Sequence, residues 1–194
     1  MKEWIAWPLI PLLVIQVARS ASAQTDIFQE LSDAQLQVFQ SEENGVRVWY
    51  PKGWHGVEHA DQYPYTFSVM PTPIPKEAGV VPEVIELFKF YRASTSLVGG
   101  DEDGPERMVD RYLQTSFPPA TSHIVFKQAL AIQGVPATLI EAETNPTSGS
   151  PLHMFVTVAV KDDVLAALYC QAPSPVFESR RRLFQVIATH VEPF

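Results

Sequence analysis

The chain has 194 residues, with 14 Lys and Arg against 22 Asp and Glu, a net charge of −8, and one cysteine. The acidic balance argues against nucleic acid or an anionic membrane as partner, because both demand a positive footprint. A lone Cys170 excludes an internal disulfide, so the fold must hold through its core alone.

The first residues, Met1, Lys2 and Glu3, precede the apolar stretch WIAWPLIPLLVIQVA, then Arg19 and the small run SASA. The stretch is short and broken by proline, and Ala21, Ser22 and Ala23 form an A-x-A-like cleavage site. Residues 1–23 therefore read as a secretory signal, with an uncleaved anchor as the alternative, and 24–194 as a single exported domain without a membrane span. Its destination is the periplasm or the outside medium.

A short helix is expected through DIFQELSDAQLQVF (26–39), capped by Thr25 or Asp26, although residues 37–41 also read as extended. VRVWYP follows the turn residues Glu43, Asn44 and Gly45, and alternates Val46, Val48 and Tyr50 with Arg47 and Trp49. It is the second half of a first hairpin. The following segment, with Gly53, Gly56 and Pro64, reads as a loop, and YTFSVMP as a strand closed by a proline-rich loop over 71–82. EVIELFKFYRAS, with Val84, Glu86, Phe88 and Phe90 on one face and Ile85, Leu87, Lys89 and Tyr91 on the other, fits a strand near the centre of a sheet.

GGDEDGPERMVDRYLQTSFPP is a helix of about three turns, with Pro105 at its first position and Met108, Val109, Tyr112 and Leu113 as its buried stripe. Its leading acids, Asp101, Glu102, Asp103 and Glu106, complement the helix dipole better than they match a calcium loop. HIVFKQALAIQ and VPATLIEAET meet at Gly134, and LHMFVTVAV and VLAALYCQA meet at Lys161, Asp162 and Asp163. Such short connections force antiparallel pairing. Ser174 caps a last helix with Pro175 at its first position and Phe177, Phe184, Ile187 and Val191 on one face. The expected architecture is α+β, an antiparallel sheet of about six or seven strands with helices over its faces.

The chain resembles the PsbP/Mog-like family in NGVRVWYPKGW (44–54), in the IQGVPA turn (132–137), and in the closing helix with FQVIATHV (184–191) after APSPVF. The resemblance covers the whole of 24–194. It implies an α-β-α sandwich and a binding or assembly role, with no shared active site to carry over.

His55, Glu58 and His59 spell HxxEH, the inverted zinc-protease signature, but the chemistry needs a helix to bring residues i and i+4 to one zinc. In a loop, His55, Glu58, His59 and Asp61 form the candidate set for a non-catalytic zinc or copper site. No other cofactor is expected, since no glycine-rich phosphate loop or nucleophile elbow occurs. Trp54, Tyr63, Tyr65 and Arg181 are the candidate partner-binding residues, because aromatic and arginine side chains carry much of the energy of protein interfaces. The leading function is a non-enzymatic domain that binds another envelope protein. A metal or small-ligand carrier is second and a zinc hydrolase third.

Overall fold

The computed structural model describes residues 35–42, 45–59, 61–71, 83–91, 104–145 and 151–194. The proposed signal, residues 26–34 of the first expected helix, the proline-rich loop after Pro71 and the acids at 101–103 lie outside them.

Seven strands form one antiparallel sheet, in the order β3-β4-β5-β9-β8-β7-β6. They are β3 (Trp54–Glu58), β4 (Tyr65–Pro71), β5 (Val84–Tyr91), β6 (Ser122–Ile132), β7 (Val135–Thr144), β8 (Leu152–Lys161) and β9 (Val164–Pro173). The expected strand number holds, but its membership differs. The first hairpin, β1 (Leu36–Ser41) with β2 (Val46–Pro51), is a separate two-stranded sheet. Its place in the large sheet is taken by β3, which falls within the segment that Gly53, Gly56 and Pro64 made read as a loop. Residues 37–41 are extended, as β1 requires.

The long hairpins follow from their turns. Gln133 and Gly134 both have positive φ, 52° and 78°, the type I′ geometry that matches strand twist across the Ile132 and Val135 pair. β5 lies between β4 and β9 and buries residues on both faces, as a central strand should.

Helix α1 (Pro105–Ser116) links β5 to the far edge strand β6 and covers one face of the sheet. Met108, Val109, Tyr112 and Leu113 are buried against Phe90, Ile140, Val156 and Leu165. Helix α2 (Ser174–His190) and the β1-β2 hairpin cover the other face. Here Phe177, Phe184, Ile187 and Val191 are buried, the stripe expected from the sequence. Each fully buried phenylalanine contributes roughly 1.5–3 kcal/mol of transfer free energy. Pro173, not Ser174, occupies the position before the helix, and no side chain caps it. Beyond α2 the chain returns to β2, where Arg47 and Glu192 exchange backbone hydrogen bonds of 2.8 Å. Phe39 of the hairpin stacks on Phe67 at 4.0 Å, closing this layer. The result is an α-β-α arrangement with a core on each side of the sheet.

Candidate functional site

The HxxEH segment lies on an edge strand. An extended chain advances about 3.3 Å per residue, which separates His55 from His59 by about 13 Å and turns Glu58 to the opposite face. His55 is exposed, and His59 shares a 2.8 Å hydrogen bond with Ser68 Oγ while its ring meets Tyr65 edge-on. Asp61 is exposed in the turn beyond. Among the described residues no group of three or more His, Cys, Asp or Glu side chains gathers closely enough to hold a metal ion.

Of the aromatic candidates, Trp54 packs against the α2-side core, edge-on to Phe184 at 6.4 Å. Tyr65 turns inward. A bulge in β4 between Tyr65 and Phe67 rotates Tyr65 onto the α1 face, where its hydroxyl donates to Glu86 Oε1 at 2.8 Å. Burial, then the carboxylate beside it, pushes the Tyr65 phenol up to about 12. Tyr63 alone is a surface group. It is 49% exposed and stacks at 5.9 Å on Tyr91, itself 46% exposed, whose backbone N–H donates to the Tyr63 hydroxyl.

Arg181 is committed within the fold. Its guanidinium donates in a fork to both oxygens of Glu141, one at 2.9 Å and the other closer, and lies over the rings of Phe155 and Phe177. Glu141 is only 1% exposed, and it accepts a further hydrogen bond from His153 Nε2 at 2.6 Å. His153, 4% exposed, stacks on Phe177 at 4.0 Å, with Glu143 and Glu178 each 3.7 Å from Nδ1. The hydrogen bonds to the Glu141 carboxylate raise the Arg181 pKa. The network pins α2 to β7 and β8. The sequence offered Arg181 as a partner-binding residue and gave no sign of its link to Glu141 and His153.

On the α1 face, a second inward carboxyl, the half-buried Glu86, comes from β5. Among the described residues its oxygens accept from two neutral donors, Tyr65 at 2.8 Å and Gln171 Nε2 at 2.9 Å. Burial raises the Glu86 pKa, and the hydrogen bond from Tyr65 and the charge of His59 offset part of the rise. Beside it Tyr112 and Tyr169 share a 2.6 Å hydroxyl contact, and burial raises the pKa of both phenols. A cavity of about 190 Å³ opens among Glu86, Phe88, Phe90, Tyr112, Tyr169 and Gln171. A larger one, about 300 Å³, separates α1 from the β6-β7 hairpin and carries the exposed pair Lys127 and Asp110 on its wall. Cys170 is fully buried, which pushes its thiol up and away from reactivity.

No family model matches the chain, and no curated protein does. Solved structures do. Cyanobacterial PsbP (CyanoP) from Synechocystis sp. PCC 6803 superposes with a TM-score of 0.56 at 14% identity, over 83% of this chain and 94% of that one. The chain has the PsbP-like fold. LpqN of Mycobacterium tuberculosis, described as involved in cell envelope biogenesis, gives a TM-score of 0.55 at 16% identity, over 84% and 95% of the two chains. Such low identities carry the PsbP-like architecture and nothing about residues. Of the segments that suggested the fold, residues 46–54 run from β2 into the first residue of β3, and IQGVPA holds the β6-β7 turn.

Proposed function

We propose that this chain is an exported, non-enzymatic accessory domain that binds another protein of the cell envelope. The observation that carries the reading is the stacked pair of Tyr63 and Tyr91, two half-exposed rings at one end of the sheet. Stacking fixes both rings in advance, so a partner burying them loses little side-chain entropy. The acidic charge of the chain directs the choice toward a basic or neutral partner surface. The apolar first 23 residues and the likeness to an envelope-biogenesis protein support export.

The test is site-specific photo-cross-linking in intact cells, with the reactive residue at position 63 and, as control, at exposed Ser179 on α2. A discrete adduct from position 63 that disappears on Tyr91→Ala, with none from position 179, is the expected result. Equal labelling from both positions, or none from 63, would reject this surface as the docking site.

A further inference from the structure

Glu86 carries a half-buried charge that the described residues balance only in part, through the charge of His59. No guanidinium or ammonium among the described residues pairs with it, and its two hydrogen-bond donors are a phenol and a carboxamide. Buried carboxylates are ordinarily matched by a cation, because neutral donors recover only part of the lost hydration. Burial accordingly raises the proton affinity of this group.

The walls around it are aromatic. Phe88 and Phe90 run nearly parallel with centroids 6.3 Å apart. Tyr169 meets Phe88 at 5.5 Å and Tyr112 meets Phe90 at 5.4 Å, so the rings form one continuous lining beside the carboxylate. A metal ion is a poor occupant, since hard cations need several oxygen ligands and ring faces cannot replace their water. A weakly hydrated organic cation is a good one, because ring faces attract it and the carboxylate supplies the counter-charge. The cavity, about 190 Å³, lies below the ~300–1,000 Å³ of sites for drug-sized ligands, so its occupant is small.

We propose that the cavity beside Glu86 binds a small organic ammonium ion, held by the Glu86 carboxylate against Phe88, Phe90, Tyr112 and Tyr169. The site lies on the α1 face and does not depend on protein docking at Tyr63.

The experiment is calorimetric titration of the full chain with choline chloride and, separately, with 3,3-dimethylbutan-1-ol, which has the same shape without the charge. Choline is expected to bind at one site, at least about tenfold tighter than the alcohol. Glu86→Gln, which keeps the side-chain shape, removes that preference, and Phe88→Leu weakens choline severalfold. Circular dichroism establishes that both variants are folded. Equal affinity for the two probes, undiminished choline binding by a folded Glu86→Gln variant, or no saturable choline binding up to about 20 mM would overturn the proposal.

Discussion

Glu141, fully buried, and Glu86, half-buried, are carboxylates on opposite faces of one sheet, and the protein treats them differently. Glu141 receives a forked guanidinium from Arg181 and an imidazole from His153, with Phe155 and Phe177 closing over the group. Among the described residues Glu86 receives hydrogen bonds from Tyr65 and Gln171, with the charge of His59 as a partial offset, and looks into an open cavity. A carboxylate matched by its own cation serves the fold, since its charge is spent on joining a helix to two strands. One left with neutral donors at a solvent opening keeps its charge for something else. The contrast separates a structural face, under α2, from a face with binding capacity, under α1.

The sharpest way to break the structural half is at Phe177, which is fully buried and stacks on His153. Phe177→Ala is expected to cost about 3–5 kcal/mol by urea denaturation, the range for deleting a core ring. Arg181→Met leaves Glu141 buried without its cation. The expected loss is about 3 kcal/mol, at the lower end for a broken buried pair because the guanidinium side chain is 40% exposed. Adding Glu141→Gln to that variant should recover part of the loss, since the uncompensated charge then disappears. On the other face the half-buried Phe88 gives a smaller figure, about 2 kcal/mol for Phe88→Ala. Should Phe88→Ala prove the more damaging, the two faces would have to exchange roles.

Most of the fold was legible because its elements obey local rules. The stripe Met108, Val109, Tyr112, Leu113 and the end at Pro118 defined α1, and alternation together with Gly134 defined the β6-β7 hairpin. β3 was not legible: its Gly56 and the nearby Pro51 and Gly53 have turn composition, and only pairing of Trp54–Glu58 with β4 makes the run a strand. Nor does periodicity say to which sheet a half-buried strand belongs, so the separate β1-β2 sheet needed the structure. The Glu141 network left a usable signal. Glu141 lies between Leu139 and Glu143 on alternating positions of an apolar run, and His153 lies two residues before Phe155, so both fall at inward positions. A polar group at a core position demands a partner. Finding Arg181 from sequence was out of reach, since it comes from another element 40 residues away from Glu141. Glu86 was visible as the one acid on the face with Phe88 and Phe90, but its neutral partners, and the bulge that brings Tyr65 to it, are tertiary facts.

The smallest expected effect sharpens the comparison most, because it depends on sign. Burial raises the Glu86 pKa above its ordinary value of 4.5, with His59, Tyr65 and Tyr169 as the titratable groups facing it. The folded state therefore holds the Glu86 proton more tightly than the unfolded chain does. Below 4.5 both states are protonated and Glu86 exacts no penalty. As pH rises from there through the raised folded value, the unfolded chain ionises first and native stability falls. Glu86→Gln removes this titration. The variant should match the wild type near pH 4 and become the more stable of the two toward pH 7, by under about 1 kcal/mol, once the lost Tyr65 bond to a charged acceptor is set against the relieved desolvation. Urea midpoints at several pH values would measure it. A variant that loses ground as pH rises would mean that Glu86 already has an effective counter-charge in the folded protein, and would make it a second Glu141.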